Sequence, residues 1–298
     1  MSASPIAVVI NPNAGPSSRR SSRADMRALA QRASDAAGLV HTVVFTERGG
    51  HARELAADLS DRGYSPVVAW GGDGTVNEVA GALVHRPTVL GIVPAGSGNG
   101  LARELGISLR PRDAMRIAAQ GADRRIDAGE LGGRYFVNVG GVGLAASVAE
   151  LFSHLSGRGL RTYMQATVAK VLSYRAERYR LEFEDATEEQ EALIIEIANG
   201  RQYGNGALIA PGALLDDGRL EVVTVGPMGL PRIAWSVPRL LAGSIDRHPL
   251  VKTRSVSSVT LSSNTLMPFH VDGEPMPAQS TLTARVHPNA LNVRVPRT

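Results

Sequence analysis

The run Val67-Val68-Ala69-Trp70-Gly71-Gly72-Asp73-Gly74-Thr75-Val76-Asn77-Glu78-Val79 constrains this chain more than any other. An apolar stretch that breaks into glycines and resumes at helical spacing reads as a buried strand, a tight turn and a helix. Gly71, Gly72 and Gly74 let the backbone approach a ligand with no Cβ in the way. Thr75, with Glu78 three residues on, has the spacing of a capping box at the helix start. Backbone N–H groups at a helix N-terminus carry partial positive charge and suit a phosphate. Asp73 is itself an anion, so it reads as a residue that holds a metal or takes a proton. The plainer alternative is an ordinary turn between strand and helix.

The same alternation recurs along the first third of the chain. Ile6–Ile10, Val40–Thr46, Val67–Trp70 and Thr88–Val93 read as strands. Between them, Met26, Leu29, Ala30 and Ala33, and then Ala52, Leu55, Ala56 and Leu59, mark helix faces. Further helices are expected from Thr75, over Leu101–Leu105 and over Pro111–Gly121. Strands and helices in alternation imply right-handed crossovers and a parallel sheet covered on both faces. The loops after the strands then share one edge, where ligands of open α/β sheets bind. Three such loops are rich in glycine or small polar residues: Asn11, Pro12, Asn13, Ala14 and Gly15; Gly71 to Thr75; and Gly96 to Asn99, with Ser97 inside. Thr46 follows the second strand. Three loops on one edge favour a polyphosphate site over coincident turns. Neither G-x-x-x-x-G-K-[ST] nor a G-x-G-x-x-G after the first strand is present, so a Walker loop and a Rossmann dinucleotide site do not fit.

Near Arg124 the pattern changes. Arg134–Val139 reads as a strand, Gly140–Gly143 as a loop, and Leu144–Leu155 and Leu160–Glu177 as helices. Short strands then dominate, over Tyr179–Glu184, Ala192–Ala198, Leu220–Val225, Ser255–Leu261, Phe269–Val271, Thr281–Val286 and Leu291–Val295, which argues for an antiparallel sandwich. The helix Leu230–Leu241 interrupts them, with Pro238 expected to kink it. A length of 298 residues suits two domains, placed at 1–126 and 127–298.

Composition narrows the function. Without cysteine there is no thiolate zinc site, and seven histidines show no H-E-x-x-H spacing. The net charge of +4 is spread over scattered arginines and only 4% of residues are aromatic, so no nucleic-acid partner is expected. No run approaches the ~18 apolar residues of a membrane span. The N-terminus lacks a signal peptide's pattern, and a cytoplasmic protein is expected.

Asn11-Pro12-Asn13-Ala14-Gly15, Gly71-Gly72-Asp73-Gly74-Thr75, Pro94-Ala95-Gly96-Ser97-Gly98-Asn99 and Val271-Asp272-Gly273-Glu274-Pro275, in this order, resemble the diacylglycerol kinase catalytic-domain family, which includes bacterial lipid kinases and sphingosine kinases. The resemblance covers nearly the whole length. It implies a nucleotide-binding α/β domain like that of NAD kinases and diacylglycerol kinases, a C-terminal antiparallel β-sandwich, and a cleft between them. It also implies transfer of the ATP γ-phosphate to a lipid hydroxyl with Mg²⁺. Asn11, Pro12, Asn13, Ala14, Gly15, Thr46, Gly71, Gly72, Asp73, Gly74, Thr75, Asn77 and Ser97 match its ATP-contacting positions, and Asp73 its acid near the catalytic Mg²⁺. Asp216-Asp217-Gly218 resembles the family's structural-metal segment, in which the Asp217 carboxylate binds with the carbonyls of Leu214 and Arg219. A bare Asp-Gly turn before a strand is the alternative there. Glu274 or Asp272 would be the general base.

Gly100 stands where bacterial relatives often carry Asp, which leaves the acceptor open among diacylglycerol, a sphingoid base and related lipids. A lipid acceptor implies peripheral contact with an anionic membrane, at the inner membrane surface, and a homodimer is kept open. The rivals are a soluble-metabolite kinase of the NAD kinase type and a non-catalytic lipid- or nucleotide-binding module.

Overall fold

The structure is a computed structural model that describes residues 5–15, 22–39, 41–154, 170–171 and 173–297. The chain divides into two compact units, Met1–Ala128 with Gly204–Gly206 and Pro288–Thr298, and Gly129–Tyr203 with Ala207–His287.

In the first unit, strands β1 (Ile6–Ile10), β2 (His41–Phe45), β3 (Val67–Gly71) and β4 (Val89–Pro94) alternate with helices α1 (Arg23–Ala36), α2 (His51–Asp61), α3 (Asp73–Leu83), α4 (Gly100–Glu104) and α5 (Pro111–Gln120). The strands pair in parallel in the order β2-β1-β3-β4, as the alternation requires. Asn292 and Val293, near the chain's end, add parallel to Val89 and Leu90 of β4. Every residue of β1, β3 and β4 is buried, which explains their unbroken apolar character. Ser22 and Asp25 form a capping box at the start of α1, by bonds of 3.1 Å to the Asp25 N–H and 3.3 Å from the Ser22 N–H.

The capping box expected at Thr75 does not form, because α3 begins two residues earlier. Gly72 is its N-cap and makes no side-chain capping bond. Thr75 Oγ1 instead accepts from Asn11 Nδ2 at 3.1 Å, while the Glu78 carboxylate accepts from the backbone of Gly50 at 2.8 Å and Ala52 at 3.0 Å. Glu78 therefore serves the start of the neighbouring helix α2, where a negative charge is favoured.

The second unit is β-rich. It takes in β6 (Arg134–Phe136), β7 (Val139–Gly143), α6 (Leu144–His154), β8 (Glu177–Glu182), β9 (Thr187–Ala192), β10 (Ile194–Ala198), β11 (Gln202–Gly204), β12 (Ala207–Leu208), β13 (Leu220–Val225), α7 (Leu230–Leu241), β14 (Val251–Val256) and β15 (Ser258–Val271). The chain enters it within β5 (Ala122–Leu131) and leaves it within β16 (Glu274–Val295). Strands β14-β13-β10-β7-β15 pair antiparallel in that order, and β8 and β9 extend from β15. This is the antiparallel sandwich that the short strands imply. One core gathers Phe136, Leu181, Ile195, Val222, Leu261 and Phe269, and a smaller one gathers Val139, Ile209, Val223 and Ile245.

Gly140–Gly143, expected as a loop, lies in β7, entirely buried between β10 and β15. Its glycines are there for space: a Cβ on Gly141 would sit 2.4 Å from Glu196 Oε2, on the facing residue of β10. Strands β5 and β9 have no apolar run to announce them, and the separate segments expected over 281–286 and 291–295 are parts of the single strand β16. The helix expected over Leu160–Glu177 lies largely outside the described residues, and Glu177 itself opens β8.

Candidate functional site

Chain order puts the loops after β1, β3 and β4 at one edge of the first unit's sheet, and they interlock there. The Asn11 N–H donates to the Trp70 carbonyl at 2.9 Å, and the Ala95 N–H to the Gly71 carbonyl at 2.8 Å. Asn13 donates its N–H to Asn11 Oδ1 at 2.9 Å, and the Ala14 N–H bonds the Asn11 carbonyl at 3.2 Å, closing the first loop. The second and third loops touch by backbone. A Cβ on Gly96 would meet Gly72 Cα at 2.7 Å, so only glycine allows that approach.

Asp73 is the joint between them. Its Oδ2 accepts the Asn99 N–H at 2.8 Å and its Oδ1 the Gly100 N–H at 2.7 Å. Asn99, in the left-handed conformation with φ of 53°, is locked to Gly96 by bonds of 2.9 Å to its N–H and to its carbonyl. Each carboxylate oxygen has a second lone pair. Asp73 is thus oriented rigidly and still able to ligate. The Gly100 N–H meets Asp73 through backbone alone, so the bond asks nothing of the side chain at that position.

The expected nucleotide-binding residues fall in this one unit. Asn11 bonds Thr75 and Asp73 bonds Asn99 and Gly100, Thr75 and Asn77 are buried, Thr46 is buried with its N–H on the Ile10 carbonyl at 2.8 Å, and Ser97 is exposed. No group of three His, Cys, Asp or Glu that could hold a metal occurs among the described residues. Mg²⁺ carried on nucleotide phosphates needs only one or two carboxylates and keeps its waters, a demand that Asp73 alone fits.

Asp272, Glu274 and Asp217 belong to the second unit. Val271 pairs with Glu274 across the two-residue loop Asp272-Gly273, whose φ values of 47° and 83° are those of a tight hairpin turn. The segment is therefore turned, not extended. Asp272 points its carboxylate back at the start of β7: Oδ2 accepts from the Val137 N–H at 2.8 Å, and Oδ1 from Asn138 at 2.9 Å and Val139 at 3.0 Å. Glu274 is partly exposed at the first position of β16. Asp217 Oδ1 accepts the Arg219 N–H at 3.0 Å, the geometry of a local Asp turn, and the Leu214 side chain is exposed. One carboxylate and two carbonyls are a sparse donor set.

Two residues beneath the hairpin were not anticipated. Glu196 and His270 are both buried and bond each other, Nε2 to Oε1, at 3.1 Å. While the imidazole is neutral, the Gly273 N–H donates to His270 Nδ1 at 3.4 Å, which ties the pair to the turn that carries Glu274. Burial opposes a charged imidazole, but the Glu196 charge, its hydrogen bond and then the Asp272 charge outweigh it, and the His270 pKa is raised. Burial, followed by the Glu196 charge and hydrogen bond, pushes the Tyr203 phenol well up. The signal was a glutamate inside the apolar run Leu193–Ala198, since a buried carboxylate needs a partner. Tyr203 also lines an apolar cavity of about 150 Å³, with Leu144, Leu193, Met228, Ile233 and Val237.

Comparison with known proteins decides the family. The Diacylglycerol kinase catalytic domain matches residues 5–131, and the YegS C-terminal NAD kinase beta sandwich-like domain matches residues 138–295. The chain belongs to the diacylglycerol kinase-type, YegS-like lipid kinase family. It is 33% identical over 263 residues, 85% of this chain and 83% of the other, to a "Probable lipid kinase YegS-like" protein of Chromohalobacter salexigens. To a Staphylococcus saprophyticus "Diacylglycerol kinase" it is 29% identical, over 80% of this chain and 79% of that one. A solved diacylglycerol kinase structure from Bacillus anthracis superposes with a TM-score of 0.74 at 16% identity, over 98% of this chain and 96% of that one, a likeness of fold.

Proposed function

We propose that this lipid kinase transfers the γ-phosphate of ATP to the hydroxyl of a lipid, diacylglycerol, a sphingoid base or a relative of these. Residues 1–126 would form the nucleotide-binding domain and 127–298 the acceptor domain. The observation that carries the reading is the Asp73 joint, which fixes a carboxylate among three small-residue loops at the ligand-binding edge of a parallel sheet. Family membership counts against the soluble-metabolite rival.

Phosphoryl transfer depends on alignment and charge neutralisation more than on covalent help from the protein. The backbone of Asn11–Gly15 and Gly71–Thr75, with Thr46, Asn77 and Ser97, would hold the nucleotide phosphates, and Asp73 would orient the metal. Mg²⁺, when bound with ATP, supplies positive charge against the phosphate oxygens. Glu274 would take the proton from the acceptor hydroxyl. Asp272 is the weaker candidate because three backbone donors already hold its carboxylate. The apolar cavity beside Tyr203 would receive part of an acyl chain. Asp217, with the carbonyls of Leu214 and Arg219, would hold a structural Mg²⁺.

We place the protein in the cytoplasm, working at the inner membrane surface by peripheral contact. The test is a substrate panel of diacylglycerol, sphingoid bases, phosphatidylglycerol, NAD and sugar phosphates, read by loss of ATP. Turnover confined to the lipids supports the proposal, and turnover confined to the soluble compounds refutes it.

A further inference from the structure

Helix α7 presents an outer face that nothing among the described residues covers. None of its residues is buried. Leu230, Ala234, Val237 and Leu241 fall at i, i+4, i+7 and i+11 and are all exposed, Leu230 by 48%, Val237 by 49% and Leu241 by 57%. Pro231 and Pro238 continue this stripe, and Trp235 stands beside it, itself 49% exposed. An amphipathic helix normally turns such a stripe to the core. Here the core side is taken by Ile233, Ser236 and Leu240, which line the apolar cavity from within, and Val237 shares in that lining while remaining 49% exposed.

The charges on this helix have one sign. Between Gly226 and Arg247 the chain carries Arg232, Arg239 and Arg247 against the single acid Asp246. The Arg239 guanidinium lies 3.2 Å from the centroid of the Trp235 ring, which keeps cation and indole at one level along the helix. The field is felt underneath. His248, edge-on to Trp235, has its pKa lowered by burial first and then by Arg239 and Arg232.

From this stripe and these arginines we propose that α7 is the docking helix for an anionic lipid bilayer. It would lie in the interfacial plane with Leu230, Val237 and Leu241 among the acyl chains and Trp235, Arg232 and Arg239 at headgroup level. A second protein would leave the uniform positive charge unexplained, whereas anionic headgroups complement it and acyl chains match the stripe. The same helix bounds the cavity, so docking sets the cavity against the membrane. The proposal rests on the lipid kinase reading for why the protein visits a bilayer.

The test uses the full chain with vesicles of phosphatidylcholine alone or mixed equally with phosphatidylglycerol. Co-sedimentation should favour the anionic vesicles and weaken with salt. Arg232→Gln with Arg239→Gln should lower partitioning roughly 25-fold, about fivefold per arginine. Leu230→Ser with Leu241→Ser should lower it about tenfold or more on both vesicle types. Leu230, Leu241 and Arg232 are exposed and Arg239 is half-buried against Trp235, and unchanged circular dichroism melts should confirm that the fold is kept. Of the two tryptophans Trp70 is buried, so a blue shift of emission on adding vesicles reports Trp235.

Variants that partition like the wild type, or unchanged Trp235 emission, overturn the proposal. So does a solution dimer that the leucine variants dissolve while vesicle binding persists, since the stripe would then face a second copy. Turnover of a short-chain, monomeric lipid acceptor separates this from the kinase reading. Wild-type turnover there without vesicle binding refutes docking alone, and variant-sensitive vesicle binding without turnover of any lipid supports docking and refutes the kinase.

Discussion

Asp73 is asked to do two things at once, and that shapes what its variants should show. Its two oxygens close the joint between the loop after β3 and the start of α4. An amide keeps one acceptor and turns a donor toward an N–H. Asp73→Asn is therefore expected to lower phosphoryl transfer at least ~10²-fold, through loss of the metal-orienting charge. It should also cost about 1–3 kcal/mol of stability from the unpaired backbone donor. Turnover within a few-fold of wild type would contradict the assignment. At the hairpin the two carboxylates should separate by phenotype. Glu274→Gln should lower kcat by ~10²- to 10⁴-fold with nucleotide affinity unchanged. Asp272→Asn should instead lower the melting temperature, because the amide keeps one oxygen acceptor and turns a donor toward at least one of the three N–H groups leading into β7. The reverse pattern would make Asp272 the base. The sequence carried the identities of these residues but not this division of labour: Asp-x-Glu spacing looks alike in a strand and in a turn, and only the positive φ of Asp272 and Gly273 decides between them.

The pair joining β10 to β15 through Glu196 and His270 should show in the pH dependence of stability. The folded His270 pKa lies above its ordinary value near 6.5, so its contribution is fully present below that value and is lost as pH rises through the folded pKa. Glu196→Gln should flatten that loss, and identical melting-against-pH curves for the two proteins would refute it. The loop before β13 offers a second case. If Asp217 anchors a structural ion, added Mg²⁺ raises the melting temperature of the wild type, chelator lowers it, and Asp217→Ala responds to neither. A wild type indifferent to both leaves Asp217 as the Arg219 turn alone.

Parallel strands were legible because burial on both faces makes them continuous apolar runs, as in Val67–Trp70. The antiparallel half was legible in kind and less so in detail. β9 (Thr187–Ala192) alternates charged residues on an exposed edge, and β7 is written in glycines that read as a loop until the facing Glu196 explains them.

Taken as a whole molecule, the chain joins a glycine-looped parallel sheet to an antiparallel sandwich with an apolar cavity, and no helix among the described residues is long and apolar enough to cross a membrane. On the proposed function, the first unit holds the ATP whose phosphate is transferred and the second the lipid whose hydroxyl receives it. The most direct measurement incubates the pure protein with Mg²⁺, ATP labelled at its γ-phosphate and a total lipid extract, then separates the lipid and aqueous phases. Label is expected in a lipid product with wild type, and none above background with Asp73→Asn, Glu274→Gln or excess chelator. Label confined to the aqueous phase in a new phosphorylated metabolite, or equal lipid labelling by wild type and Asp73→Asn, would contradict it.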